Sequence, residues 1–246
     1  METKTYRLSP QQIEQYRNDG YTLNLQNVFS QDRFAELKAI FEEGLERYGV
    51  DDLDTIHFRD ERLLSFLLDD AVLDLIEPVV GPNIGLWSSH FISKEPFKGK
   101  ATPWHEDSAY WEGRVSTMEN ICTVWLALDE ATPENGCMKV IPGSQNGGFS
   151  DYEKVSGDTN IFETQIKPEF IDEDKAVYFA LKPNQCSLHE ARIIHGAEAN
   201  TSPMRRAGYT MRYFPTSSLV YADKNPGHKL WLARGVDVAG NKFENA

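Results

Sequence analysis

Hydrophobic positions along the chain change period near residue 83. Before it they recur at helical spacing; after it they alternate or cluster as strand residues do. Ser9-Pro10-Gln11-Gln12 predicts a helix start: Ser9 can cap, Pro10 suits the first helical position and Gln12 can reach back. Ile13 and Tyr16 follow on one face, and Gly20 ends the element. TLNLQNVF (22–29) reads as a short strand. Ser30 then caps a second helix running to about Tyr48, with Phe34, Leu37, Phe41 and Leu45 on its apolar stripe. A third helical region covers 61–80 and stops near Gly81-Pro82.

Beyond residue 83, IGLWSSHFISK (84–94), ICTVWLAL (121–128), GCMKVI (136–141), AVYFAL (176–181), CSLHEARIIH (186–195) and RAGYTMRYF (206–214) are rich in β-branched and aromatic residues and bounded by Gly, Pro and Asn. Short strands following helices predict a mainly β fold: a double-sheet jelly roll with helices packed outside. Residues 146–175 form the best candidate for a long surface loop or lid. No repeat or linker interrupts the pattern, so residues 1–246 read as one domain, with a helical part 9–82, a β core at about 84–215 and a tail 216–246.

Hydrophobic residues make up 40% of the 246, enough for a core of that size. The net charge of −13 disfavours phosphate backbones and anionic lipid heads, so nucleic acid and membranes are poor partners and a small molecule is the expected one. No apolar run approaches the roughly 20 residues that span a bilayer. The opening METKTYRLSPQQ lacks the apolar core of a signal peptide, which points to the cytoplasm. Cys122, Cys137 and Cys186 are widely spaced and read as buried, reduced thiols. The pattern carries no signal for an oligomeric state.

Chemistry concentrates in TPWHEDSAYW (102–111). On an extended strand His105 and Asp107 point the same way and Glu106 points away. An imidazole beside a carboxylate supplies two members of the 2-His-1-carboxylate triad of non-haem Fe(II) oxygenases. The third ligand must come from His57, His90, His189, His195 or His228. His195 stands out at a strand end, before Gly196 and the turn-forming Asn200-Thr201-Ser202-Pro203. His189 has the same strand parity and is the rival. His57 and His228 read as surface or structural, and His90 as a packed strand histidine. Arg206 lies an odd number of residues after His195, so the two share a pocket only if that turn separates them. Its planar fork on a rigid strand suits a carboxylate. Arg205 reads as a solvated turn residue.

Together these residues resemble the phytanoyl-CoA dioxygenase family of iron- and 2-oxoglutarate-dependent oxygenases. The resemblance runs through LSPQQIEQYRNDGY, PWHEDSAYW, VWLALDEATPENGCMKVIPGS (124–144) and HGAEANTSPMRRAGYTMRY (195–213). It implies a double-stranded β-helix (cupin-like) core, with Fe(II) held by His105, Asp107 and His195 and not by His189. It implies that 2-oxoglutarate meets iron through its C1 carboxylate and keto oxygen, with its C5 carboxylate on Arg206. Trp125 matches the family tryptophan beside the co-substrate; Thr123 shares its strand parity and can line the same pocket. O2 would be the oxidant, and ascorbate the customary reductant in vitro. One departure stands out: Pro183-Asn184-Gln185 replaces the family's usual Pro-Gly-Asp. Asn tolerates the left-handed backbone that Gly would supply.

The resulting expectation is a dioxygenase that hydroxylates a C–H bond of a small, polar metabolite. Trp87, His90, Tyr110, Trp111 and Arg212 are its candidate substrate residues, Arg212 sharing strand parity with Arg206. An acyl-CoA substrate is disfavoured by the lack of an evident basic surface. Two other readings stand beside this one: a cupin-like metalloenzyme that does not use 2-oxoglutarate, and a catalytically silent binding module on the same fold.

Overall fold

The structure is a computed structural model that describes residues 8–245. Helix α1 (Pro10–Asp19) begins with the anticipated capping box: Gln12 N donates to Ser9 Oγ, and the Gln12 side chain accepts from Ser9 N. It closes on Gly20 at φ 80°, a conformation that glycine adopts without strain. Strand β1 (Tyr21–Asn24) is shorter than the apolar run suggested. Val28 and Phe29 leave the sheet because their backbone amides bond to Asn184 instead. Helix α2 (Gln31–Tyr48) is capped by Ser30 and buries Leu37, Ile40 and Phe41. The third helical region is not continuous. It contains α3 (Leu64–Leu67) and α4 (Asp70–Val80), separated where the Asp69 carboxylate accepts from Ala71 N and restarts the helix.

The remaining strands are β2 (Ile84–Lys94), β3 (Thr102–His105), β4 (Cys122–Ala127), β5 (Met138–Val140), β6 (Tyr152–Lys154), β7 (Thr164–Ile166), β8 (Val177–Tyr178), β9 (Cys186–Glu190), β10 (His195–Ala197), β11 (Arg206–Pro215) and β12 (Trp231–Arg234). With β1 they form a six-stranded sheet ordered β1-β9-β4-β11-β2-β12, a facing four-stranded sheet ordered β3-β10-β5-β8 and a separate β6-β7 pair, with every paired strand antiparallel. This is the double-sheet jelly roll. The run 186–195 is two strands in two sheets, with Ala191–Ile194 carrying the chain across. Of the run 176–181 only Val177 and Tyr178 pair as a strand.

Alternation along the large sheet separates core from cavity. Cys122, Val124 and Leu126 of β4 and Tyr209 and Met211 of β11 join the helices in one apolar core. Their neighbours Thr123, Trp125, Arg206, Thr210 and Arg212 line the cavity between the sheets. A bulge at Trp87 interrupts the β2–β11 register, since Arg212 pairs with Ser88 and Tyr213 with Leu86. Trp87 and Ser88 therefore both line the cavity. The three cysteines are buried and free, as their spacing indicated.

Candidate active site

The cavity between the sheets has a volume of about 610 Å³. Its centre holds His105, Asp107 and His195, all buried, whose donor atoms lie within 4.8 Å of one another. The main chain sets this arrangement. His105 closes β3 and His195 opens β10, and the two are direct partners across the ladder, with ring centroids 4.0 Å apart. Glu106 keeps extended backbone (φ −117°, ψ 131°), so Asp107 returns to the face of His105 although it opens a 3-10 turn, Asp107–Tyr110, rather than continuing the strand. Glu106 points elsewhere, onto Ser150.

Each imidazole is oriented by its own strand. Nδ1 of His105 donates to Pro103 O (2.8 Å) and Nδ1 of His195 donates to Ile193 O (3.0 Å), which leaves each Nε2 lone pair for a ligand. Burial, followed by the neighbouring His195, pushes the pKa of His105 down to about 3, so its ring is neutral at physiological pH. At Asp107 burial acts to raise the pKa, but Arg212 and the surrounding imidazoles outweigh it and hold the carboxyl below the usual carboxylate range. A buried anionic carboxylate beside two imidazoles, each donating through Nδ1 to its own strand, fits ferrous iron in the 2-His-1-carboxylate arrangement.

His189 lies in the same cavity, its ring 5.1 Å from that of His195. It stands on the large sheet opposite Thr123, outside the three-residue cluster, and its Nδ1 has no hydrogen-bond partner. His90 also lines the cavity, 3.8 Å from the Asp54 carboxylate. His57 is buried and bonded to Ser89 Oγ (2.7 Å), a structural position. His228 is not a surface residue of the tail: its Nε2 donates to Trp87 O (2.7 Å) and it borders the cavity.

Arg206 shares the cavity with His195 because the two face each other from opposite sheets, so the strand-parity count between them does not apply. Its Nε and Nη2 both donate to Gly136 O (2.9 and 2.7 Å), and its guanidinium lies 5.2 Å from the Trp125 ring. Only 3% exposed, it has no carboxylate partner among the described residues. Burial lowers its pKa to about 10, leaving it charged at neutral pH. A buried cation with no protein anion fits an incoming carboxylate such as the distal end of 2-oxoglutarate. Trp125 is pinned close to Gly208, where a Cβ would come within 2.2 Å of the indole. Arg205 is partly buried rather than a free turn residue. It bridges Asp129 (2.7 Å) and Glu42 (2.6 Å).

Thr123 lines the cavity, but its hydroxyl is bonded to Asp107 Oδ2 (3.2 Å) rather than directed at Arg206. Arg212 faces inward, and its Nε lies 3.4 Å from the same oxygen. Trp87 and Trp111 are buried with ring centroids 5.9 Å apart, and Tyr110 is half exposed at the rim. The segment 146–175 reaches the cavity. Its β6–β7 hairpin carries Phe162 into the cavity, edge-on to His105 at 5.1 Å. Arg114 and Phe162 are cavity residues that the sequence did not reveal. Both lie in irregular segments, where periodicity says nothing about facing.

Comparison with known proteins places this geometry in a lineage. The family model described as phytanoyl-CoA dioxygenase matches residues 7–208. A phytanoyl-CoA dioxygenase domain-containing protein 1 homolog from Caenorhabditis elegans is 26% identical over 200 residues, 79% of this chain and 67% of that protein. Peroxisomal phytanoyl-CoA dioxygenase from Homo sapiens is 30% identical over 193 residues, 76% of this chain, which spans 56% of the human protein. Among solved structures, the apo non-heme monooxygenase ThoJ matches with a TM-score of 0.78 at 21% identity, covering 95% of this chain and 87% of that one. EctD from S. alaskensis, solved with 2-oxoglutarate and 5-hydroxyectoine, matches with a TM-score of 0.71 at 22% identity, covering 90% and 81%. At these identities the structural likeness speaks for the fold. The match over residues 7–208 speaks for descent: the chain belongs to the phytanoyl-CoA dioxygenase family of iron- and 2-oxoglutarate-dependent oxygenases.

Proposed function

We propose that His105, Asp107 and His195 hold the iron, that Arg206 takes the C5 carboxylate of 2-oxoglutarate beside Trp125, and that the enzyme hydroxylates a C–H bond of a small polar metabolite. One observation carries this reading: three buried donors within 4.8 Å share a cavity with a buried arginine that has no acidic partner among the described residues. The domain that does this work is the whole chain, with the helices bracing the outer face of the large sheet.

Iron and 2-oxoglutarate, when bound, would supply O2 activation, with succinate and CO2 as co-products and one oxygen atom passing to the substrate. The chain supplies position and dryness. Asp107 presents one carboxylate oxygen to the metal while Thr123 and Arg212 occupy the other. The Nε2 atoms of His105 and His195, left free by the Nδ1 contacts, would complete the donor set. Arg206 fixes the far end of the co-substrate, which sets its reactive end by length alone. Phe162 and Tyr110 close over His105 and limit water.

No helix among the described residues is long and apolar enough to cross a membrane. We place the enzyme in the cytoplasm, acting on a small molecule rather than nucleic acid or a membrane surface, in keeping with its net charge of −13.

The test is succinate formation with Fe(II), 2-oxoglutarate, ascorbate and a panel of metabolites. Substrate-stimulated succinate, with a product heavier by one oxygen atom, is the expected result. A product formed without any consumption of 2-oxoglutarate would point to the metalloenzyme that does not use it.

A further inference from the structure

Among the described residues, Arg206 shares the cavity with a second guanidinium that has no acidic partner. At the opposite end Arg114 lines the wall together with Trp87, Asn225 and His228. Among the described residues it makes no ion pair, in a chain with 38 acidic residues against 25 basic ones. It is nevertheless held in place. Its Nε donates to Asn225 Oδ1 (2.7 Å), and Asn225 Nδ2 in turn donates to Arg114 O (2.9 Å) and Tyr221 O (2.8 Å). Its guanidinium carbon lies 5.3 Å from the Trp87 ring. The two terminal nitrogens make no hydrogen bond to the described protein, so a planar fork is fixed at its base and free at its tip. That is the geometry that captures an oxyanion in bidentate fashion.

Arg212 does not compete for that role, because Asp107 already engages it. Asp54, the other carboxylate on the wall besides Asp107, has a side chain 66% exposed beside His90, where solvent screens its charge. An aromatic floor runs from Arg114 to the arginine beside Asp107: Arg114 over Trp87, Trp87 against Trp111, and Arg212 over Trp111 at 5.8 Å.

Resting on the iron and 2-oxoglutarate reading above, we infer that the substrate carries an oxyanionic group, carboxylate or phosphate, which Arg114 binds at the end of the cavity remote from Arg206, while its carbon skeleton lies along Trp87 and Trp111 towards Asp107. The two unpaired arginines then divide the anions between them: Arg206 takes the co-substrate and Arg114 the substrate.

The test uses anaerobic protein loaded with Fe(II) and 2-oxoglutarate. Probes are short straight-chain and phenyl-substituted carboxylates, the matching phosphonates, and the matching primary amides as neutral controls. Binding is read from tryptophan fluorescence, and the metal-to-ligand charge-transfer band is recorded in the same samples. At least one anionic probe is expected to bind tenfold or more tightly than its amide. Whether the carboxylate or the phosphonate arm leads identifies the group. Arg114→Gln is expected to abolish that preference with the band intact. Arg114→Lys, which keeps the charge and covers Trp87 but lacks the fork, is expected to retain part of it. Equal affinity for anion and amide, no binding of any anionic probe, or a preference unchanged in Arg114→Gln with the band present would overturn the inference and leave the oxygenase reading intact. A missing band in the unmutated protein would overturn both.

Discussion

Nε of Arg212 lies 3.4 Å from Oδ2 of Asp107, and the same oxygen accepts a hydrogen bond from Thr123 at 3.2 Å. Two donors on one oxygen leave Oδ1 as the free end of the carboxylate. Removing a donor frees the group to rotate, and loss of such supporting contacts typically weakens metal binding by about 10–100-fold. Thr123→Val, close in shape, is therefore expected to weaken Fe(II) binding in that range in a competition titration with a chelator. Unchanged affinity would mean that the hydroxyl does not orient the carboxylate.

The ligand assignment predicts a visible charge-transfer band when Fe(II) and 2-oxoglutarate are added without oxygen. His105→Ala and His195→Ala are expected to lose the band and His189→Ala to keep it, because the His189 ring stands outside the cluster. Loss of iron in His189→Ala alone would reverse the assignment.

Adjacent arginines separate co-substrate binding from stability. Arg206→Ala is expected to weaken 2-oxoglutarate by about 2–5 kcal/mol, the range for a charge pair lost from a desolvated site. Arg205→Ala removes the bridge to Asp129 and Glu42 instead. It should lower the melting temperature by an amount equivalent to about 1 kcal/mol, with the co-substrate Kd unchanged. Calorimetric titration and thermal melts of both variants distinguish the two effects.

Restoring the family's glycine at position 184 is expected to harm the protein. Asn184 has φ 69°, and its side chain accepts from Phe29 N (2.9 Å) and donates to Phe29 O (2.8 Å). Asn184→Gly relieves the backbone but strands two buried polar groups, a net loss of about 1–3 kcal/mol. Urea unfolding measures it; a gain in stability would show that relief of backbone strain outweighs the two lost hydrogen bonds.

His57 gives a pH signature remote from the iron site. Burial, with His228 and Lys229 nearby, lowers its pKa to about 3. The unfolded chain, near the ordinary value of 6.5, therefore binds the proton first as pH falls. Above that value His57 makes no pH-dependent contribution. Between the two values stability declines with acidification by up to about 1.4 kcal/mol per pH unit. His57→Gln should show a shallower acid decline than the unmutated protein in parallel denaturation series, and identical slopes would contradict the buried neutral state.

Legibility in the sequence followed the locality of the signal. The bounds of β2 and the caps of α1 and α2 were readable because the Gly81-Pro82-Asn83 boundary, Ser9, Ser30 and Gly20 are local cues. His105 and Asp107 were paired by parity, and that held because Glu106 stays extended after β3 ends. The passage from Glu190 to His195 was unreadable: both strands are buried on both faces, and no Gly or Pro marks the turn between them. Without knowing that β9 and β10 belong to different sheets, neither the facing of Arg206 nor the exclusion of His189 could follow from counting. Arg114 needed Asn225, 111 residues away, to be seen as fixed.

The cross-strand pairing of His105 with His195 has a consequence for metal loading. Their spacing is inherited from the main-chain pairing of β3 with β10. A seat spaced by main-chain pairing rather than by the ion itself predicts that the fold survives removal of iron, unlike small metal-nucleated domains that unfold without it. Stripping and reloading should be reversible, and a single added or deleted residue in Thr102–His105 would disable the enzyme more thoroughly than most substitutions around it.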